Sequence, residues 1–204
     1  MRPLAIEEIV PLDRYGALRD AYRERVIAYK RSRRVALGER ATLLFEDRET
    51  LRFQIQEMLW VERIREPDKV QAEIDVYNEL MPGAQELSAT LFLEILESSE
   101  IRPTLERMVG LDRHVWLVLG EGAAETPFAA RFDNRQLEEQ RISAVQYLRF
   151  PLGAEGSRRL GDSSLRARVR ASHPHYRREE EIPPAVREAL IATLAREPAA
   201  LLRA

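Results

Sequence analysis

The spacing of apolar residues predicts five helical segments. From Leu12 to Arg33, aromatic and aliphatic residues recur every three or four positions, the period of one buried helix face. The period also becomes helical after Ile55, and a further helix is expected from Pro67 to the breaker sequence "MPG". Two more helices are predicted, a short one in "IRPTLERMVG" and the last one from "IPPAV" through "REALIATLA".

Alternation of apolar and polar residues predicts the strands. The runs "ATLLFE" and "TLRFQI" alternate on either side of "DRE", which predicts a β-hairpin over residues 41–55. Further strands are expected at "LSATLFLEI", "HVWLVLG", "PFAARFD", "RISAVQYLRFPL" and "LRARVRAS". Because several strands follow one another through short turns, the pattern favours an α+β fold, with a mostly antiparallel sheet and helices packed on one face.

The length of the chain indicates one domain. It has 204 residues, of which 45% are hydrophobic, enough to bury a sizeable core. We therefore predict a single domain over residues 1–204. Within it, residues 1–34 form an N-terminal helical segment, residues 35–172 form the sheet with inserted helices, and residues 183–204 form a C-terminal helix.

Composition excludes several classes of function. The formal net charge of −2 argues against a dedicated nucleic-acid-binding or membrane-surface protein. With no cysteine, this chain cannot supply disulfides, thiolate catalysis or iron–sulfur ligands. The N-terminus carries carboxylates where a signal peptide needs an apolar run, so we expect a cytoplasmic protein. No phosphate-binding loop or nucleophile elbow is present, and no motif identifies a cofactor.

Five phrases together carry a resemblance to a known family. The phrases "LLFEDRET", "FQIQEM", "DVYNELMPG", "ELSATLF" and "ISAVQYLRFPLG" follow one another in order along nearly the whole chain. In them the chain resembles the bacterial family catalogued as domain of unknown function 3501, which has no established activity. The resemblance implies a redox or oxidative-stress setting, with rubrerythrin-like or iron–sulfur oxidoreductase proteins as partners.

Two carboxylates fall on apolar helix faces. Glu62 is placed among Ile55, Met58 and Leu59, and Glu73 lies in an apolar arc that includes Tyr77. A buried carboxylate is protonated, paired or metal-bound, since burying an unpaired charge is costly. The alternatives are a metal or catalytic site, a buried ion pair, or two side chains that reach the surface.

Histidines and arginines supply two further candidate sites. His173 and His175 in "SHPHY" are two residues apart and would bind a metal ion if a third ligand came near; otherwise they belong to a surface turn. Arg166, Arg168 and Arg170 alternate with apolar residues and so share one face of a strand. That face would bind a small anion or form a solvated, charged strand surface.

Buried amides form the last candidate set. Gln54 shares a face with Thr50 and Arg52 in the predicted hairpin, and Gln146 points to the predicted core. A buried amide needs partners for its donors and its acceptor, so these glutamines either line a polar pocket or tie the sheet to a helix end.

Three functions follow as hypotheses. The first is a non-catalytic binding or accessory protein that works with redox partners. The second is a metal-binding protein or metal-dependent enzyme that uses the buried carboxylates or the histidine pair. The third is a small-anion-binding module built on the arginine face.

Overall fold

The computed structural model describes residues 1–133, 141–195 and 201. Six helices lie in these residues: α1 (Leu12–Arg31), α2 (Arg48–Glu62), α3 (Pro67–Asn78), α4 (Ser98–Arg107), α5 (Gly153–Gly161) and α6 (Pro184–Ala195). The strands are β1 (Arg34–Ala36), β2 (Ala41–Glu46), β3 (Glu86–Leu93), β4 (Val115–Leu119), β5 (Thr126–Ala129), β6 (Arg131–Phe132), β7 (Val145–Pro151), β8 (Ala167–His173) and β9 (Tyr176–Glu181). None of the helices in the described ranges combines the length and the apolar character needed to cross a membrane.

The strands form two antiparallel sheets. The first sheet has the order β1-β2-β3-β7-β6, and the second has the order β5-β4-β8-β9. The α+β fold and the antiparallel pairing are as predicted, but the strands divide between two sheets where the pattern suggested one. Alternation shows that a segment is a strand with one buried face, and it does not identify the strand beside it.

One core is shared by the inner faces of both sheets. Phe45, Leu91 and Phe150 come from the first sheet, and Leu117 and Val169 come from the second. Residues of α4, α5 and α6 complete the same cluster: Leu105, Leu160, Val186 and Leu190. A second cluster, centred on the buried Leu51, Ile55 and Ile74, joins α2 and α3 to the N-terminal segment. The outer face of the first sheet lies towards this helical layer.

The predicted hairpin over residues 41–55 is wrong in its second arm. Residues 48–62 form α2, which begins directly after β2. Asp47 caps the helix, because its side chain accepts hydrogen bonds from the backbone amides of Glu49 and Thr50. Leu51, Ile55 and Leu59, spaced four residues apart, are all buried along one side of the helix. The capping bonds and this stripe outweigh the short alternating pattern, which also fits a helix.

Three tyrosines of α1 bind carboxylates of α2. They recur every seven residues, which places them on one helix face: Tyr15, Tyr22 and Tyr29. Tyr15 donates to Glu57 at 2.7 Å, Tyr22 donates to Glu49 at 2.8 Å, and Tyr29 donates to Asp47. The predicted apolar stripe of α1 is therefore a row of aromatic rings whose hydroxyl groups reach the neighbouring helix.

Each of these carboxylates also binds an arginine. The nitrogen–oxygen distances are all 2.7 Å, in the pairs Arg19–Glu57, Arg52–Glu49 and Arg33–Asp47. Burial raises the pKa of Tyr22 well above its usual range, and the nearby Glu49 charge raises it further. These tyrosines thus remain protonated donors, and the row of tyrosine, carboxylate and arginine groups fixes α1 against α2.

Gly16 allows Trp60 of α2 to lie against α1. A Cβ at this position would lie 2.8 Å from Cη2 of the Trp60 ring. We expect Gly16→Ala to lower the free energy of unfolding by about 1 kcal/mol, although alanine favours helices, because the ring would be displaced. Urea unfolding would measure the change. Gly161→Ala in α5, where a Cβ meets no atom within 4 Å, is the matched control and should not destabilise. A stabilised Gly16→Ala variant would contradict the prediction.

Candidate functional site

Polar side chains gather on the outer face of the first sheet. The strand register pairs Glu46 with Ser88 and Ser88 with Arg149, and it pairs Thr90 with Tyr147. Directly paired residues of antiparallel strands point to the same side of a sheet. The sheet therefore carries an apolar inner face and an outer face with a carboxyl, hydroxyl groups and a guanidinium.

Glu46 is the buried centre of this face. It is 2% exposed and is the last residue of β2. The Thr90 hydroxyl donates to its Oε1 at 2.6 Å, and the Gln54 amide donates to its Oε2 at 3.1 Å. Both of these donors are neutral groups, so neither supplies a positive charge to a buried carboxylate.

Burial raises the pKa of Glu46 above its usual range. The hydroxyl groups of Thr50 and Thr90 lower it in part, and so does the charge of Lys30. Lys30 responds in the opposite direction, because its own burial lowers its pKa. The environment thus shifts the pKa values of a neighbouring acid and base in opposite directions, each toward its neutral form, an arrangement frequent at functional sites.

Two tyrosines complete the surroundings of Glu46. Burial raises the pKa of Tyr77 to about 12, and the charges of Tyr147, Glu73 and Glu46 contribute. Burial likewise raises the pKa of Tyr147, with a contribution from the Glu46 charge. Both phenols are therefore neutral hydrogen-bonding groups at physiological pH, and both are close enough to Glu46 for its charge to affect them.

A groove of about 270 Å³ opens beside Tyr147. It shares Ser88 and Tyr147 with the outer face of the sheet, and Ser88 is the cross-strand partner of Glu46. Other residues at its walls include Glu79, Leu80, Arg131, Phe132, Asp133 and Arg149. Arg149 binds Glu86 and the carbonyl oxygens of Met81 and Glu79. The groove thus opens on the same face of the sheet as the buried carboxyl and is lined by groups of both charges, although Glu46 itself is not one of its lining residues.

Three comparisons place the chain among known proteins. The model of the family described as protein of unknown function DUF3501 matches residues 3–194. The chain belongs to this family. The match confirms the resemblance seen in the five sequence phrases. No curated protein is significantly similar to this DUF3501 member.

A solved structure has the same fold as this DUF3501 member. It is the crystal structure of a protein of unknown function from Burkholderia pseudomallei K96243, with 35% sequence identity and a TM-score of 0.86. The alignment covers 95% of this chain and 100% of that chain. The architecture described above is therefore shared across nearly the full length of both proteins.

Part of the predicted amide and carboxylate set lies at the Glu46 site. Gln54 binds Glu46, and Tyr77 and the half-buried Glu73 lie close enough to act on one another electrostatically. Gln146 instead lies on the inner face of the first sheet, where its amide donates to the Ser143 carbonyl at 2.9 Å. The two glutamines predicted as one set are thus on opposite faces of the same sheet.

Glu62 reaches the surface, which is one of the alternatives that the sequence left open. Glu62 is exposed, and it is the last residue of α2. Arg63, the next residue, takes a left-handed conformation that turns the chain away, so the final helical turn reaches solvent. Among the residues that the structure describes, no group of three histidine, aspartate or glutamate side chains could hold a metal ion.

The arginine face of β8 is closed by carboxylates. Arg168 and Arg170 share two partners, Glu125 and Glu179, at distances of 2.9 Å or less. Arg166 binds Glu181 and contacts Glu121 at 3.2 Å. Arg168 and Arg170 share one face of β8, as predicted, and Arg166 directly precedes the strand. Glutamates of the protein itself hold the positions that an anionic ligand would take.

The histidine pair belongs to the tight turn between β8 and β9. His173 is buried, with Nε2 3.1 Å from the Val109 carbonyl oxygen, whereas His175 is exposed. Burial lowers the pKa of His173, so it is neutral at physiological pH. The His114 ring lies 5.5 Å from that of His173, a contact that the sequence separation did not suggest.

Sequence reasoning missed the most buried acid of the site. Glu46 directly follows the run "TLLF". An acidic residue at the end of a buried strand could have been chosen from the sequence as a candidate site residue. The sequence did not indicate that Lys30 and Thr90 lie near Glu46, because α1 and β3 approach it from distant parts of the chain. Only the register of β2 against β3 places Thr90 beside the carboxyl.

Proposed function

We propose that this protein is a non-catalytic binding protein for a small ligand that carries a protonated amine. The observation that carries the proposal is Glu46, a fully buried carboxyl whose hydrogen bonds come from the neutral groups Thr90 and Gln54. A cationic ligand would supply the positive charge that these donors lack. Binding would then be linked to loss of the Glu46 proton.

The groove beside Tyr147 supports an amine as the ligand. Two acidic residues, Glu79 and Asp133, line it together with Tyr147. Side-chain oxygen atoms of these types accept hydrogen bonds from an ammonium group, which has three donors. The guanidinium of Arg149 is already engaged by Glu86 and two carbonyl oxygens, so it is not directed at an incoming ligand. An apolar portion of the ligand would contact Leu80 and Phe132.

Stability alone does not account for a carboxyl at position 46. Replacing a buried ionisable group by a neutral one that fits is often neutral or stabilising. A glutamine could keep a carbonyl acceptor for Thr90 without the cost of a buried acid. A residue that lowers stability at neutral pH is expected where function requires it.

The test is a ligand series with a matched control variant. Thermal unfolding would be followed with butylamine, butanol and butyrate, which share a short chain and differ in charge. We expect butylamine to raise the melting temperature more at pH 8 than at pH 6, since binding releases the Glu46 proton. Glu46→Gln should abolish the shift. Glu94→Gln is the control, because Glu94 accepts a similar bond from Thr42 at 2.7 Å but is exposed.

The outcomes separate the proposal from its rivals. Equal shifts with butylamine and butanol would show that charge is irrelevant and would contradict the role of Glu46. The absence of a butylamine shift, whatever the response to butyrate, would contradict an amine as the ligand of the Glu46 site. Loss of the butylamine effect in both glutamine variants would indicate a general surface effect of the amine.

The redox setting is a second proposal that rests on the family resemblance alone. It names rubrerythrin-like or iron–sulfur oxidoreductase proteins as partners of a cytoplasmic accessory protein. Affinity purification of the tagged protein from its native host, under reducing conditions, tests this proposal. Recovery of no redox protein would contradict it, and this result would leave the amine-binding test unaffected.

A further inference from the structure

A small pocket beside α4 lies apart from the Glu46 site. Its volume is about 140 Å³, and its charged or polar wall consists of Arg40, Thr104, Arg107 and His175. The remaining wall is apolar: Leu93, Ile95, Met108 and the ring of Tyr176. The pocket thus combines two arginines and two other hydrogen-bonding residues with four apolar or aromatic ones.

Thr104 is the feature that points to a ligand. It is 8% exposed, and its Oγ1 has no hydrogen-bond partner among the described residues. A buried hydroxyl group without a partner is unusual, because nearly all buried polar groups form hydrogen bonds. A ligand oxygen in the pocket would accept a hydrogen bond from this hydroxyl.

The two arginines and the histidine of the pocket are only partly engaged by the rest of the protein. The Arg107 Nε donates to the Pro103 carbonyl, and its Nη2 lies 3.6 Å from Glu100. Both side chains of this ion pair are more than half exposed, so water screens their attraction. Arg40 uses its backbone carbonyl to accept a bond from Glu94, and His175 uses its backbone amide to bind His173. Their side chains line the pocket.

We infer that this pocket binds a small organic carboxylate with a short apolar tail. The carboxylate would accept hydrogen bonds from Arg107 and Thr104, and the tail would lie against Met108 and Leu93. Arginine suits a carboxylate because its planar group offers parallel N–H donors. Four carboxylates line the adjoining groove, Glu39, Glu94, Glu97 and Glu100, and they would disfavour ligands of higher negative charge. The site and its ligand are independent of the proposed amine-binding function.

Methionine methyl resonances provide a local readout. The chain has four methionines, and Met108 is the one in this pocket. In protein labelled with ¹³C at the methionine methyl groups, we expect butyrate to shift the Met108 resonance and to leave Met1, Met58 and Met81 unchanged. A dissociation constant on the order of 1 mM is expected for a ligand with so few heavy atoms.

Variants test the two groups assigned to the carboxylate. We expect Arg107→Gln to weaken butyrate binding about tenfold, since it removes a charge-assisted bond. Thr104→Val keeps the shape, removes the hydroxyl group and should also weaken binding while leaving stability unchanged or higher. Arg102→Gln is the matched control on α4, because Arg102 binds Glu106 and lies outside the pocket.

Several results would overturn the inference. Absence of a Met108 shift in the folded wild-type protein would exclude the site. Equal weakening by Arg102→Gln and Arg107→Gln would show that only the general charge of α4 matters. A tighter response to phosphate, or an equal response to butylamine, would contradict the assignment of a carboxylate.

Discussion

Replacing Asp47 with alanine is expected to lower the free energy of unfolding by about 3–5 kcal/mol, the largest loss that we predict. The side chain caps α2 and also binds Tyr29 and the buried Arg33. Its removal leaves the guanidinium as an uncompensated buried charge and frees two backbone amides at the start of the helix. Urea unfolding followed by circular dichroism would measure the loss.

A double variant separates the ion pair from the helix cap. If the buried charge is the main cost, Arg33→Met should restore part of the stability of Asp47→Ala, because both charged partners are then absent. Asp162→Ala is the control, since Asp162 makes a similar turn with Ser164 at an exposed position. A loss below about 1 kcal/mol in Asp47→Ala, the ordinary value of a cap alone, would refute the role of the ion pair.

Glu46→Gln is expected to raise the free energy of unfolding at neutral pH by about 1–4 kcal/mol. Burial raises the pKa of Glu46 in the folded protein, so the folded state keeps a proton that the unfolded chain releases. Glutamine retains an acceptor for Thr90 and carries no ionisable proton. Denaturant unfolding at a series of pH values would measure the gain.

The pH dependence of this gain has a definite sign. Glutamate in an unfolded chain titrates near pH 4.3. Below that pH both states hold the proton, and the substitution should change stability little. As the pH rises, the unfolded chain loses its proton first, which favours unfolding of the wild-type protein. The advantage of Glu46→Gln should therefore grow above about pH 4, until the pH passes the raised pKa of Glu46 in the folded protein.

The exposed Glu94 again provides the control. Glu94→Gln should show no comparable growth of stability with pH, because that carboxylate is in solvent. A gain for Glu46→Gln that stays constant with pH would mean that packing, and not the proton, is responsible. Together with the ligand series, the variant should be more stable and yet unable to bind the amine. A structural role for Glu46 alone would not produce that combination.

Long segments with a sustained period were predicted well from the sequence. The helix from Leu12, the helix from Pro67 and the strands β3 and β8 lie where the patterns indicated. Each of these segments is long enough that the spacing of its apolar residues fits either the helical period or the strand period, but not both. The segment after Asp47 was assigned wrongly because six residues satisfied both periods, and the capping bonds of Asp47 then decided for a helix.

The candidate site was only partly accessible from sequence. Gln54 was chosen as an amide of the predicted hairpin and Tyr77 as a member of the apolar arc around Glu73, and both lie close to Glu46. Glu62 was chosen because its spacing places it on a mostly apolar helix face, yet it is exposed. Residue spacing contains no information about where a helix ends or which segment covers it. The sequence did not indicate Thr104 as a site residue. Whether a buried hydroxyl lacks a hydrogen-bond partner depends on the residues that surround it in the fold.

The sequence by itself determined the class of the fold, most of its elements and the family. It also determined that Arg168 and Arg170 would share a strand face. The tertiary structure alone decided what those faces meet. In the folded protein, Glu125 and Glu179 form ion pairs on the arginine face, and Glu46 lies under α2 beside Thr90. Periodicity is a local property of the chain, whereas burial, charge pairing and a raised pKa arise from segments that are distant in sequence and close in space.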